Sequence, residues 1–332
     1  MAATSNKPRI VLGLLTFGPP DSESKGSRVT DLSQFEGCLD YLQQKGYIEI
    51  DTARTYVGGL QEAFTKQANW QQRGLSLSTK WYPQKPGDNA ADAIKAQLNH
   101  SLSELGAEKV DIFYLHAPDR SIPFEETLRA CNDLHREGKF KRLGISNYAS
   151  WEVAEICTLA RERGWIQPTV CQAMYNALTR AIEDELVPCC RKFGVEILAY
   201  NPLAGGVLSG KYKSKDAPDT GLFGTSNSSF GQLYRDRYFR DTNFEALRLL
   251  EPVAKEHGLS LAQIAYRWCA YHSKLKMTGE GKDGLVFGVS SLEQLKANIG
   301  ILEEGELPAA VVEALDQAWE NVTKVSCPSY WR

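Results

Sequence analysis

Four residues in this 332-residue chain have types that could share one reaction: Asp51 and Tyr56 in the stretch DTARTY, Lys80 in STKW, and His116 in YLHAPD. A tyrosine alone is a poor acid near neutral pH, because its phenol titrates at about 10. A lysine ammonium beside it favours the phenolate and is expected to lower that value. A carboxylate next to the lysine keeps the ammonium charged and in place. A histidine can orient a carbonyl oxygen and join a proton relay. The set describes a tuned general acid beside a site for a carbonyl. It lacks a nucleophile with an adjacent base, which argues against acyl transfer. It lacks clustered metal ligands, which argues against a metallohydrolase, and no metal is expected. Acid catalysis on a carbonyl still needs an electron source. No side chain supplies hydride, so a nicotinamide cofactor is implied.

These residues need elements that bring them together. Short apolar runs at Ile10–Leu15, Tyr47–Ile50, Leu75–Thr79, Val110–Leu115, Arg142–Ile145, Thr169–Gln172, Val195–Tyr200 and Leu285–Val289 read as eight strands. Between them lie helical patterns at Leu32–Lys45, Gly59–Gln72, Ala90–Leu105, Phe124–Glu137, Trp151–Arg163 and Glu183–Phe193. Asp31 and Ser150 stand where N-caps are expected, and Gly46 and Gly164 where helices end. Strand ends recur roughly every 30 residues, as in repeated βα units. The fold class expected is α/β, a (β/α)8 TIM barrel over residues 1–332 as a single domain. One interval breaks the rhythm. Between Tyr200 and Leu285 lies a large loop opening with Gly221–Gly231, read as a mobile surface segment. The patterns Asn243–His257 and Ser260–His272 follow it, and C-terminal helices are expected at Ser291–Glu303 and Pro308–Val322.

Bulk properties remove other classes. A formal net charge of −3 gives no pull toward nucleic acid or anionic membrane. No run of about 18 apolar residues occurs, so no spanning helix is expected. The stretch MAATSNKPRI lacks a signal peptide's apolar core, and the eight cysteines form no C-x-x-C pair. A reduced, cytoplasmic protein is the expectation. Gly279-Glu-Gly-Lys-Asp-Gly284 matches G-x-G-x-x-G but precedes a strand instead of following one, so it reads as a connection and not a phosphate loop.

Barrel enzymes place their chemistry at the C-terminal ends of the strands. Here those ends read Asp51, Ser78-Thr-Lys80, Tyr114-Leu-His116, Gly144-Ile-Ser146-Asn147, Cys171-Gln172 and Tyr200-Asn201-Pro202-Leu203-Ala204-Gly205-Gly206. For any one of them a plain strand stop is the better reading; six in succession point to a shared mouth.

DTARTY, STKW, YLHAPD, GISNY, CQAMYN, AYNPLAGG and GVSSLEQLKANI occur in an order, over nearly the whole chain, that resembles the aldo-keto reductases. Within that superfamily, AYNPLAGG with GKY, the YRDR segment and CPSYWR resemble the aflatoxin aldehyde reductase subfamily. The resemblance implies a barrel that binds NADPH without a Rossmann domain. It implies Tyr56 as general acid, tuned by Lys80 and Asp51, with His116 orienting the carbonyl. Ser146, Asn147 and Gln172 would hold the nicotinamide carboxamide, and Tyr200 would stack on the ring. Asn201, Pro202, Leu203, Ala204, Gly205 and Gly206, with Lys211, would cover the pyrophosphate. Ser290, Ser291, Gln294 and Asn298 would meet the 2′-phosphate of NADP; Ser290-Ser-Leu-Glu293 reads equally as a capping box. Arg237 and Arg332 would receive acidic substrates, and equally read as surface arginines. A homodimer is implied by the subfamily alone.

The strand-one segment Gly13–Gly18 departs from the superfamily's more usual glycine-threonine-methionine pattern, which bears on the pocket wall. Trp81, Phe223, Tyr234, Tyr238 and Trp331 are candidates to line that wall, or simply to pack. A second reading of the whole is a binding module, since the potassium-channel β subunits share this fold and keep a bound cofactor. The complete tetrad and the C-terminal motif favour an aldehyde or ketone reductase.

Overall fold

The computed structural model describes residues 7–216, 218, 223–224 and 228–332. Eight parallel strands close into a barrel in chain order: β1 (Ile10–Gly13), β2 (Glu49–Asp51), β3 (Ser76–Trp81), β4 (Val110–Leu115), β5 (Phe140–Ser146), β6 (Pro168–Met174), β7 (Glu196–Tyr200) and β8 (Gly284–Gly288). β8 returns to pair with β1, Val11 opposite Val286. The first helices alternate with the strands: α1 (Leu32–Gln44), α2 (Gln61–Gln67), α3 (Ala91–Leu105), α4 (Phe124–Arg136), α5 (Ser150–Arg163) and α6 (Leu186–Phe193). Among the described residues the excursion after β7 carries three α-helices, α7 (Ser228–Tyr238), α8 (Asp241–Glu256) and α9 (Leu261–Arg267), where two were expected. The additional one takes up the end of the segment read as a mobile loop; the rest of that segment, apart from Phe223 and Gly224, lies outside the described residues. α10 (Leu292–Glu303) and α11 (Ala309–Ala318) follow β8. Among the described residues no helix is long and apolar enough to cross a membrane. Gly279–Gly284 leads into β8, as its position after a helix predicted.

Strand alternation sorts two cores. Val11, Ile112, Tyr114, Val170, Leu198 and Val286 fill the barrel interior, while the larger outer cluster packs strands against helices. Gly144 is forced by this interior. A Cβ there would stand 2.3 Å from the Tyr114 ring, which lies across its backbone. Below, Arg9 donates to Glu49 at 2.7 Å and to Glu196 at 2.9 Å, and Arg142 donates to Glu196 at 2.7 Å. This ion cluster plugs the N-terminal end of the barrel and leaves the opposite end for chemistry.

Helix ends differ in detail from expectation. Asp31 caps α1 through the Gln34 N–H at 2.9 Å, and Gly46 and Gly164 take the left-handed conformation. Ser150 is not the cap of α5. It is the first helical residue, and the buried Glu152 carboxylate accepts the Ala149 N–H at 2.7 Å instead. At α10 the cap is Ser291, with Gln294 reaching back to the Ser290 N–H at 2.6 Å. The expected partner Glu293 stays exposed. Glutamine suits the reach-back as well as glutamate.

Candidate active site

β3 alternates Ser78 and Lys80 into the barrel with Thr79 facing out, so Lys80 arrives in the mouth with no exposed surface. Its ammonium is satisfied from three sides. It donates to the Asp51 carboxylate, to the Thr52 carbonyl at 2.7 Å and to the Tyr56 hydroxyl oxygen at 3.3 Å. Asp51, paired with Ser78 in the β2–β3 register, also accepts from the Ser78 hydroxyl at 2.7 Å and the Gln172 amide at 3.1 Å. A buried ion pair is tolerable only with such partners.

Tyr56 opens the turn Tyr56–Gly59 after β2, and its ring stands edge-on to His116, centroids 6.0 Å apart. Tyr82 also meets His116 edge-on, with centroids 5.4 Å apart. His116 Nδ1 is buried with no hydrogen-bond partner among the described residues, so the imidazole has polar capacity to offer. The Tyr56 phenol lies well above its ordinary range, pushed up by burial and then by the Asp51 carboxylate. This overturns the expectation that Lys80 would lower it. Desolvation of the phenolate and the adjacent carboxylate outweigh the ammonium, whose charge Asp51 already answers. The Lys80 ammonium is itself shifted down by burial, with Asp51 and Glu62 opposing.

Burial, then the charges of Lys80 and Arg332, hold His116 neutral well below its usual range. Below about pH 6.5 the unfolded chain therefore binds a proton there that the folded protein refuses, and stability is lost on acidification. His116→Gln is expected to flatten the acid limb of a stability–pH curve by up to about 1.4 kcal/mol per pH unit. Urea midpoints measured from neutral pH downward check this; an unchanged acid limb is the contrary result.

The β5 and β6 ends converge beside this group. Asn147, at φ 64°, donates to the His116 carbonyl at 2.8 Å and to Ser146 Oγ at 3.0 Å, and accepts from the Tyr200 hydroxyl at 2.7 Å. That leaves one acceptor lone pair on Asn147, the Ser146 O–H, and the second N–H of Gln172. Tyr200 is partly exposed at the end of β7. Asn201 follows at φ 59°, its amide donating to Tyr238 Oη at 2.9 Å. Pro202, Leu203 and the buried Ala204 lead into Gly205, where φ is 68° and a Cβ would lie 2.8 Å from the Tyr234 ring; Gly206 continues at φ 113°. Lys211 is exposed. At the start of α10 Ser290 and Gln294 are exposed and Ser291 is half-buried, whereas Asn298 is buried and donates to Tyr266 Oη at 3.0 Å.

Arg237 is buried among Tyr200, Tyr234 and Tyr238, with Nη1 3.5 Å from Tyr200 Oη. Arg332 donates to Tyr82 Oη at 3.1 Å, and its Nε is buried without a partner. Among the described residues neither guanidinium meets a carboxylate. Their charges reach the tyrosines of the mouth, Arg332 bearing on Tyr56 and Arg237 on Tyr234. Of the aromatics considered for the pocket wall, Trp81 faces outward, its indole N–H donating to Asp88 O at 2.9 Å, and Phe223 stacks on Phe239 at 4.2 Å. Trp331 is exposed near Arg120. Sequence reading placed Ser78 at a strand end without giving it a role, which period-two alternation with Lys80 would have supplied, and missed Tyr82, which lies past the strand end where no period applies.

The model of the aldo/keto reductase family matches residues 9–320. Aflatoxin B1 aldehyde reductase member 2 of Mus musculus is 44% identical to the chain, over 98% of this chain and 88% of the relative. Aldo-keto reductase family 7 member A3 of Homo sapiens is 42% identical over 98% of each. Aldo-keto reductase pigE of Monascus ruber is 37% identical over 99% of this chain and all of the relative.

Proposed function

The chain belongs to the aldo/keto reductase family, and from that premise we propose that it reduces aldehydes to alcohols with NADPH, Tyr56 giving the proton. The observation that carries the reading is the Lys80 ammonium held between the Asp51 carboxylate and Tyr56 Oη, 3.3 Å from the latter, beside a neutral His116 with an unpartnered Nδ1. NADPH, when bound, supplies the hydride. The residues present fit it by chemistry. Ser146, Asn147 and Gln172 keep a donor, a lone pair and an N–H that match a carboxamide. Tyr200 offers a ring face at the mouth. Positive-φ backbone at Asn201, Ala204, Gly205 and Gly206 turns the main chain sharply after β7, with Lys211 as an exposed cation beyond it. Ser290 and Ser291 with Gln294 open the N-terminal turn of α10, where the helix dipole favours a phosphate although the Ser290 and Gln294 N–H groups are already answered by side chains. Asn298, committed to Tyr266, would serve that corner through packing.

In the proposed reaction His116 donates a hydrogen bond to the carbonyl oxygen and Tyr56 delivers its proton as charge develops there. A phenol held above its ordinary range is protonated throughout the neutral range, as an acid must be. Lys80 stabilises the phenolate left behind, and Asp51 keeps Lys80 placed. Arg237 and Arg332, lacking carboxylates, suit an aldehyde that carries an acid group at its far end. The reductase names of the relatives support the same class.

The test is consumption of NADPH with paired aldehydes of equal length, one bearing a carboxylate, such as succinic semialdehyde. The carboxylate-bearing partner is expected to be preferred. Arg332→Ala is expected to raise its KM by about 10- to 100-fold, the loss of one charged hydrogen-bonded contact. The neutral partner should be little affected. Equal turnover of both, unaltered in the variant, would remove the acidic-substrate assignment. Tight NADPH binding without turnover of any aldehyde would favour the binding module.

A further inference from the structure

The turn that carries Tyr56 is built from conformations a chain does not hold unaided. Val57, β-branched and buried, has φ 52°, and Gly58 and Gly59 follow at 61° and 89°. β-Branched residues avoid this region, so it persists only where the surroundings enforce it.

Those surroundings are specific. Arg54, two residues before Tyr56, donates its backbone N–H to the Lys80 carbonyl at 3.0 Å. Its guanidinium donates to the Gly59 carbonyl, at the far end of the turn, and to Glu62 Oε2 at 2.5 Å. Glu62, in the first turn of α2, has no exposed surface. Its other oxygen accepts from the Thr79 hydroxyl at 2.6 Å, and Thr79 immediately precedes Lys80 on the outer face of β3. One buried carboxylate therefore spans the turn that presents Tyr56 and the strand that presents Lys80.

We propose that Glu62 and Arg54 are positioning residues that hold Tyr56 in register with Lys80, a role that rests on the reading of Tyr56 as the proton donor. Neither touches the reacting atoms. They act by fixing two elements that would otherwise drift apart, and small misplacements of an acid are costly to rate. The charges also form a balanced set, Lys80 and Arg54 against Asp51 and Glu62. Facing Lys80 inside the barrel are Asp51 from β2, Tyr56 from the turn, Tyr114 from β4 and His116 just beyond β4, while Glu62 from α2 acts on it through space from the outer side of β3. Of these, Asp51 and Glu62 favour the ammonium. Removing the Glu62 charge makes Lys80 easier to deprotonate, so a rate that needs the ammonium should fail at lower pH.

The experiment compares wild type, Glu62→Gln, Arg54→Gln and Tyr56→Phe for folding by circular dichroism, NADPH binding by fluorescence, and kcat and KM across pH. Glu62→Gln is expected to lower kcat by about 10- to 100-fold with KM and NADPH binding nearly unchanged, and to move the basic limb of kcat to lower pH. A purely structural role would lower the melting temperature and leave that limb in place. Arg54→Gln leaves the fully buried Glu62 carboxylate without its cation and is expected to cost more stability than the neutral, isosteric Glu62→Gln; where it folds, the same fall in kcat is expected of it. Wild-type kcat in folded Arg54→Gln, or in folded Glu62→Gln with an unmoved basic limb, overturns the positioning role while a dead Tyr56→Phe leaves the proton donor standing. A fully active Tyr56→Phe, or a wild type without turnover, overturns both.

Discussion

Tyr56→Phe is expected to lower kcat for aldehyde reduction by about 10²- to 10⁴-fold while NADPH still binds. The substitution removes one oxygen and little else. The Lys80 ammonium keeps the Asp51 carboxylate and the Thr52 carbonyl, so the buried charge stays satisfied. The ring that meets His116 edge-on remains. Stability should therefore hardly change, and the lost rate reports the proton. Because burial and Asp51 hold the phenol above its ordinary range, the wild-type rate should be level across neutral pH, without a limb from Tyr56 ionisation. NADPH oxidation by both proteins at saturating aldehyde measures this. A variant turning over near the wild-type rate would falsify the assignment of Tyr56 as acid.

Lys80→Met has the second large effect, and it strikes rate and stability together. It removes the cation from a carboxylate that is almost wholly buried, leaving Asp51 with Ser78 and Gln172 as donors. Breaking a buried pair from one side costs about 3–5 kcal/mol. Activity should fall as well, because the phenolate loses its stabilising charge. Adding Asp51→Asn removes the stranded charge, so the double variant should recover much of the stability and none of the activity. Denaturant midpoints with NADPH oxidation on the same samples separate the two. Full stability in the single variant would mean that Asp51 takes up a proton or reaches water.

The sequence carried the barrel because each strand is short, apolar and followed by a polar stop, and a closed parallel barrel has no other use for eight such units. It carried Asp51, Lys80 and His116 for the same reason, each standing at or just past a strand end. What it hid was three-dimensional. The upward displacement of the Tyr56 phenol depends on how much water the closed mouth excludes, which no local pattern encodes. Ser150 looked like a cap, yet the helix start is held by Glu152, three residues after Ala149, whose buried carboxylate accepts the Ala149 N–H while Arg120 answers its charge at 2.7 Å. α7 went unread because its first turn is built from serine and glycine, and its hold comes from Tyr234 and Tyr238 packing against Gly205.

Arg237 and Arg332 have one further consequence, for diffusion. The chain as a whole carries a formal charge of −3 and so repels anions weakly at long range. On the proposed reading these two guanidiniums, neither of which meets a side-chain carboxylate among the described residues, set a local positive field against that net charge. An anionic substrate is then expected to be attracted at that one place against the charge of the whole. Its encounter rate should accordingly fall as ionic strength rises and the screening length shrinks toward about 8 Å, whereas a neutral molecule of the same size would reach the mouth equally often in dilute buffer and in brine.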